Sequence, residues 1–480
     1  MSPIPRRVAV IGAGPSGLAA THALASEKIF DTIRIFDRRA EVGGLWNYDQ
    51  EPDVFPQATD GSLPSRELNR PESLPGFAPA AAADPDSRTA LYYGLDSNVG
   101  ASTMAFTWAP FPETNSPNSV RRLGLNNASR PHHAIKSWIE DNFKPFLPWL
   151  SLSTTVERAE KIDGEWVLTL RKSHQHYGGK DEDYWWTEKF DAVLVASGHY
   201  SSPYIPNIPG LIETSKRLPG AFEHSKSYRK ADKYVNKNVL IVGGSISATD
   251  FITDLHEIVK GKLQLAVRTQ SELLQAAYNL PNVQLRPEVK SISSSQDGGV
   301  TVTFVDGEII HNVNHLIFAT GYRFSYPYLK PDLVASTRES NRVTGLYQHV
   351  FNIEDPTLAF VGNVKAGLTF RVNEYQAVAI ARFLAGRSAA LPSKDDQRKW
   401  ETERLALKGP SSNFHEILPD FEPYFNWLAE FAGEPSQDSN GYRLPKWQNS
   451  LAEEGLALLE KKAKYWQSII DSYNRFRAKL

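Results

Sequence analysis

The sequence predicts an α/β fold containing two β-α-β units, one near the N-terminus and one beyond a proline-dense linker. Three observations predict it. Val8-Ala9-Val10-Ile11 runs into Gly12-Ala13-Gly14-Pro15-Ser16-Gly17; Val239-Leu240-Ile241-Val242 runs into Gly243-Gly244-Ser245-Ile246-Ser247-Ala248; and a proline-dense stretch at 201–210 separates them. Short, continuous apolar runs bounded by glycine are the pattern of strands buried on both faces, the usual state of a parallel sheet.

Taken in order, the first strand is followed by a helical stretch from Leu18 to Ala25 and a strand at Ile33–Phe36. Together they make one β-α-β unit of about 30 residues. From Asp49 to Arg88 the chain is rich in Pro, Ala, Asp and Ser without periodicity, an irregular surface excursion. The β-branched and aromatic run Trp166–Leu170 predicts hairpin strands, and Ala192–Val195 another buried strand. Repeated proline cannot continue a ladder, so 201–210 reads as an interdomain linker. The second unit has a helix to about Val259 and a strand Leu263–Val267, and the chain returns through Leu316–Tyr322. In the tail, Leu456, Leu459, Ala463, Trp466, Ile470 and Tyr473 form one stripe, predicting a docked surface helix.

Composition removes several function classes. With 53 Lys+Arg against 55 Asp+Glu and a net charge of −2, there is no basic excess for a nucleic acid. There is no cysteine, and Met occurs only at positions 1 and 104, so disulfides, thiolate metals and thiol nucleophiles are excluded. A reducing compartment is expected. His132-His133, His174 with His176, and His311 with His315 lack thiol partners and read as loop or surface histidines, so no metal is expected. No apolar stretch is long enough to span a membrane and no leader is evident, which favours the cytoplasm. The alternative is the peroxisome, because Ala478-Lys479-Leu480 is one residue from an S-K-L address.

The glycines carry the chemistry. Gly12 permits a tight turn, Gly14 lets backbone approach a pyrophosphate, and Gly17 lets the helix lie close to the strand, with the anion on the helix N-terminus. Asp37, 20 positions beyond Gly17, would accept from a ribose 2′-OH and repel a 2′-phosphate. In the second turn Ser245 and Ala248 replace the second and third glycines, and 20 positions beyond Ala248 stands Arg268, followed by Thr269. A guanidinium beside a hydroxyl suits a 2′-phosphate. Two sites of opposite sign imply two dinucleotides and hydride transfer, with FAD as the tightly held partner and NADPH as the other. Without a cysteine pair, electrons must leave reduced flavin for oxygen, a quinone-like acceptor or a protein.

Several segments together resemble the flavin-containing monooxygenases, class B flavoprotein monooxygenases of the soluble fungal and bacterial type. Phe36-Asp37-Arg38-Arg39 and Gly43-Gly44-Leu45-Trp46-Asn47-Tyr48 resemble the FAD segment, with Asp37 where Glu is usual. Leu218–Arg229 resembles the F-x-G-x-x-x-H-x-x-x-(Y/F) fingerprint through Gly220, His224 and Tyr228, with Leu218 replacing the aromatic. Phe318-Ala319-Thr320-Gly321-Tyr322 with Pro327 is similar to the ATGY motif, with Asn314 where an acid is common, and Leu95-Asp96-Ser97-Asn98 to L-x-T-N. Ala196–Tyr200 resembles the first interdomain linker, in which His199 would hold the linker by a hydrogen bond. The likeness runs from residue 8 to about 390.

The resemblance implies two Rossmann-like domains, the FAD domain discontinuous (1–203 and 331–480) and the NADPH domain (204–330) inserted. It gives FAD to Gly12, Gly14, Pro15, Ser16, Gly17, Asp37, Arg38, Gly44, Leu45, Trp46, Gly362 and Gln376. NADP would be held by Gly243, Gly244, Ser245, Ser247, Ala248, Arg268, Thr269, Thr320, Gly321 and Tyr322, and Asn98 would be catalytic, orienting nicotinamide and the oxygen site. The implied activity is NADPH- and O2-dependent oxygenation of an amine nitrogen or a sulfide or thiol sulfur through a C4a-hydroperoxyflavin. Three alternatives stand beside it: a Baeyer–Villiger monooxygenase, though Tyr228-Arg229 stands where that class continues with Trp-Pro; an uncoupled NADPH oxidase; and a non-catalytic cofactor-binding redox module. The substrate is a small nucleophilic molecule, chosen by residues in 49–88, around Phe106–Pro112, and in 364–371. The sequence leaves a homodimer open.

Overall fold

Strands that are apolar on both faces can be buried only between two covering layers, and both β-α-β units fold that way. A computed structural model describes residues 4–56, 69–82, 86–177, 180–294, 298–330, 333–334, 336–337, 341–366 and 368–479. Arg7–Ile11 lies within a seven-stranded sheet of order Leu346–Tyr347, Phe351–Asn352, Leu358–Phe360, Ala192–Val195, Arg7–Ile11, Thr32–Phe36, Leu150–Ser151. The five strands from Leu358–Phe360 onward are parallel, and the two at the other edge are antiparallel. Val8 and Val10 face Leu18, Leu24 and Ile380 on one side, while Ala9 and Ile11 face Trp166, Leu168 and Phe360 on the other, as the two-residue alternation of a strand requires.

The second sheet is inserted between Ala192–Val195 and Leu346–Tyr347. Its order is Phe222–His224, His315–Phe318, Val239–Val242, Leu263–Ala266, Val283–Arg286, all parallel. Phe251, Leu255, Tyr278 and Trp466 cover one face, and Ile205, Phe222, Leu240 and Phe318 belong to the core on the other. The two chain crossings between the sheets pair antiparallel, Pro203 with Tyr322 and Ser202 with Arg323. The proline-dense linker thus carries a two-residue ladder, which stops where Pro203 and Pro206 supply no N–H.

The structure departs from the sequence reading in five places. Helix Pro15–Glu27 is longer than 18–25, because it starts at a proline, which needs no N–H partner there, and ends at Lys28 with φ 53°. The excursion at 49–88 contains a strand, Gly76–Pro79, on the edge of an antiparallel sheet with Lys180–Phe190, Glu165–Tyr177 and Thr154–Ile162; an edge tolerates the Gly and Pro that argue against a strand locally. The helix of the second unit ends at Leu255, short of Val259, and an unanticipated antiparallel sheet follows at Val289–Ser294, Val300–Phe304 and Ile309–Val313. Finally, the tail helix Asn449–Arg477 buries Leu458 and Trp466, and Leu459, Ala463 and Ile470 pack on the second sheet's core, but Leu456 and Tyr473 are 37% and 40% exposed. A stripe spaced alternately by three and four drifts about 20° per heptad on a straight helix, so its ends rotate off the contact. Among the described residues no helix is long and apolar enough to cross a membrane. Leu480, the last residue of the proposed address, lies outside the described residues, as do parts of 49–88 and Gly367.

Candidate functional site: two matched glycine turns

The two glycine turns have nearly the same construction. Gly12 leaves its strand at φ +113° and donates to Phe36 O at 2.8 Å; Gly243 leaves at φ +107° and donates to Ala266 O at 2.9 Å. A Cβ on Gly12 would lie 2.5 Å from Ala196 O, and one on Gly243 2.4 Å from Ala319 O. On Gly17 a Cβ would lie 1.9 Å from Gly12 O, which is why this helix can lie so close; at the matching place Ala248 is fully buried. Gly44 (φ +53°) packs over Gly14, anchored by Gly43 N donating to Ala13 O at 2.8 Å; Leu45 follows it in the short turn Gly44–Trp46, and the Trp46 ring meets Phe370 edge-on at 5.9 Å. Neither Gly14 nor Ser245 caps its helix with a side chain, so the first N–H groups of Pro15–Glu27 and Ile246–Leu255, around Ser16 and Ser247, are left for an anion. These cradles fit a dinucleotide pyrophosphate at each turn. Gly12→Ala should therefore give protein that purifies colourless; a yellow product would show that the first turn does not hold flavin.

The strand ends differ in charge. Asp37 is buried and accepts from Ala13 N at 2.7 Å and from Arg39 N at 2.8 Å, one on each oxygen. Burial pushes its pKa up, against these donors and the nearby Arg38 and Arg39. Each oxygen keeps a lone pair for a ribose hydroxyl. Arg38, beside it, lies 3.6 Å from the Asp86 carboxylate. In the second unit counting and register disagree by one residue. Phe36 pairs with Ile11 and Ala266 with Val242, so the structural counterpart of Asp37 is Val267, and Arg268 matches Arg38. The connection between the second turn and its second strand is one residue shorter, which the count from the glycines does not see. Val267 is buried, whereas Arg268 and Thr269 are exposed, and Arg268 has no partner among the described residues.

The ends of both sheets lead into the paired crossings. Thr320 Oγ1 donates to Tyr204 O at 2.5 Å and Tyr204 N to Gly321 O at 2.9 Å. His224 Nδ1 accepts from Lys226 N at 3.1 Å, which leaves the proton on Nε2, and the ring meets Tyr322 edge-on at 5.2 Å. His199 Nδ1 donates to Gly362 O at 3.0 Å. Burial lowers the pKa of His199 to about 4, of His224 to about 3 and of His22 to about 4. His199 and His224 are therefore neutral supports at neutral pH and not acids. Their folded pKa values lie below the ordinary 6.5, so the stability they contribute is present above pH 6.5 and is lost as pH falls through 4. The thermal midpoint should fall steadily over that window; a flat profile would mean these rings are charged or exposed.

Not every expected residue reaches the turns. Gly220 is exposed before Phe222–His224, at the end of that strand away from the nucleotide turn, and a Cβ there would touch nothing. Tyr228 is buried beneath the second helix, donating to Asp254 at 3.1 Å with its ring 4.4 Å from Phe251. Gln376 is fully buried; its Oε1 accepts from Gly362 N at 2.7 Å and its Nε2 donates to Tyr424 OH at 2.8 Å. It therefore acts through the Gly362 turn (φ +86°), where a Cβ would lie 2.5 Å from Ser16 Oγ. Asn98 Oδ1 accepts from Lys462 Nζ.

One residue inside the fingerprint had no role assigned from sequence. Lys226 is 1% exposed, and its ammonium donates to Asp53 at 2.6 Å, Asp86 O at 2.9 Å and Ser201 O at 2.6 Å. It joins the second sheet to the excursion and the linker with all three N–H donors used. Its carboxylate partner is 173 residues away, beyond the reach of any local pattern.

Two Rossmann-type units, one inserted in the other, with matched glycine turns and a shared crossing define an α/β protein of the two-dinucleotide class. Residues 62–279 and 263–435 match the family described as flavin-binding monooxygenase-like, and residues 10–61 an NAD(P)-binding Rossmann-like domain. The chain belongs to the flavin-binding monooxygenase family. It is 29% identical over 476 residues to a flavin-containing monooxygenase of Aspergillus flavus, covering 89% of this chain and 92% of that one. It is 30% identical over 437 residues to the flavin-containing monooxygenase FMO GS-OX3 of Arabidopsis thaliana, covering 89% and 85%. The S-allyl-L-cysteine S-oxygenase of Allium sativum has a similar structure, with TM-score 0.71, 26% identity and 99% of each chain covered.

Proposed function

We propose that this flavoprotein monooxygenase binds FAD at the Gly12–Gly17 turn and NADPH at the Gly243–Ala248 turn, and oxygenates a soft nucleophile, an amine nitrogen or a sulfide sulfur. The observation that carries the reading is the contrast at the two strand ends, a buried Asp37 carboxylate at one and, at the other, an exposed Arg268 with no partner among the described residues. The S-oxygenase likeness supports sulfur as a target. In this reading residues 1–203 and 331–480 form the FAD domain and 204–330 the NADPH domain.

Bound flavin supplies hydride acceptance from the nicotinamide and activation of O2. The chain supplies position and exclusion of water. The helix N-termini at Pro15 and Ile246 hold the pyrophosphates, Asp37 takes the ribose, and Arg268 with Thr269 takes the 2′-phosphate. Tyr322, packed on His224, and the paired crossings fix the spacing of the two sites. Asn98 presents an amide at the nicotinamide and oxygen site without exchanging a proton. No acid–base pair is required, consistent with His199 and His224 held neutral.

Purified holoprotein should consume NADPH in step with product when offered amines or sulfides, and release H2O2 when offered none. Ketone conversion to esters would favour Baeyer–Villiger chemistry, and H2O2 equal to NADPH with every substrate would mean an oxidase. Asn98→Leu should leave flavin reduction intact and lose oxygenated product; an unchanged yield would remove Asn98 from the site.

A further inference from the structure

The tail helix Asn449–Arg477 is more than a surface cover, because it touches both nucleotide units. Toward the first unit, Ser102 Oγ donates to Glu454 at 2.8 Å and Thr103 Oγ1 to Leu451 O at 3.3 Å. Toward the second, Trp466 Nε1 donates to Thr253 Oγ1 at 2.8 Å on helix Ile246–Leu255. Between these contacts stands Lys462, with its side chain 14% exposed. Its ammonium donates to Asn98 Oδ1 and, at 2.9 Å, to Asp250, which also accepts from Tyr92 OH at 2.6 Å. Asp250 lies on the helix whose N-terminus forms the second nucleotide cradle.

We propose that Lys462 is a positioning residue: it fixes which end of the Asn98 amide is held and which is left to donate, and ties that orientation to the nucleotide helix through Asp250. This rests on the reading of Asn98 given above. An ammonium can only donate, so the atom it holds must be the amide oxygen. The Nδ2 group, which has no partner among the described residues, is then left as a donor. The two ends of an amide are nearly equal in size, so without a charged donor on one of them the group can turn over and present an acceptor instead. The contact also makes one continuous chain from the second nucleotide turn, through Asp250 and Lys462, to Asn98.

Lys462→Met removes the donor and keeps the length and the apolar stem; Lys462→Arg keeps a donor. In the holoenzyme, product formed per NADPH should fall about tenfold in Lys462→Met, with H2O2 making up the difference, while flavin reduction changes far less. Lys462→Arg should restore most of the yield. In protein without nucleotide or substrate, deuterium exchange of residues 95–104 should quicken about tenfold in Lys462→Met, the loss of one charge-assisted hydrogen bond. Unchanged yield or unchanged exchange at 95–104 overturns the proposal. So does a parallel fall in reduction and yield with faster exchange along all of 449–477, which would make Lys462 a structural tie alone. Wild-type protein that oxygenates nothing in the panel would overturn the parent reading, and the exchange measurement would still decide whether Lys462 holds the Asn98 loop.

Discussion

Lys226→Met should cost about 3–5 kcal/mol of stability in the region joining the two sheets, the range for breaking a buried ion pair from one side. The ammonium and the Asp53 carboxylate are 2.6 Å apart with 1% and 9% of their side chains exposed. Burial pushes the Lys226 pKa down and the Asp53 pKa up, each against the attraction of the other. Removing the lysine alone takes the charged donor from the Asp53 carboxylate, which keeps Arg88 N at 3.2 Å, from Asp86 O, which keeps Arg38 at 3.3 Å, and from Ser201 O. Replacing both partners, Lys226→Met with Asp53→Leu, should recover much of the loss, since an apolar pair carries no desolvation penalty. Denaturant unfolding followed by tryptophan fluorescence reads both. A loss below about 1 kcal/mol would place the pair in the class of exposed bridges and deny it the joining role.

That residue also marks where the sequence stops being legible. The two β-α-β units could be read from it because each is local: a strand, a turn and a helix within about 30 residues, with glycines whose freedom the turn requires. Gly12 and Gly243 have the positive φ expected of such turns. What could not be read is set by partners far away in the chain. Gly76–Pro79 is a strand only because Lys180–Phe190 offers an edge, and Lys226 is a joint only because Asp53, Asp86 and Ser201 converge on it. Lys462 sits on the polar side of an amphipathic stripe, where a charge ordinarily means solvent, and its contact with Asn98 spans 364 residues. Gln376 shows a subtler limit: the likeness gives it to the cofactor, while its hydrogen bonds place it one step behind, holding Gly362.

Arg268→Ala should raise the KM for NADPH about 10–100-fold and leave the KM for NADH within about twofold, since what is removed is one or two charge-assisted hydrogen bonds to a 2′-phosphate. Equal effects on both coenzymes would dismiss Arg268 as the phosphate reader. A second substitution separates the two ways of aligning the turns. If the count from the glycines were the physical correspondence, Arg268 would occupy the place of Asp37, and Val267 would be a bystander of the strand. The pairing of Ala266 with Val242 instead puts Val267 there, directly after the residue that accepts from Gly243 N. Ala13 N donates to Asp37 in the first turn, and Gly244 occupies the matching place in the second. Val267→Asp, close to valine in size, should therefore set a carboxylate against Gly244 N and the ribose, repel the 2′-phosphate, and shift preference toward NADH even with Arg268 intact. Combined with Arg268→Ala, the shift should grow, because one change repels the phosphate and the other withdraws its partner. If Val267→Asp left the ratio of NADPH to NADH kcat/KM unmoved in folded, flavin-loaded protein, the second turn would not read its ribose from the strand position that the first one uses.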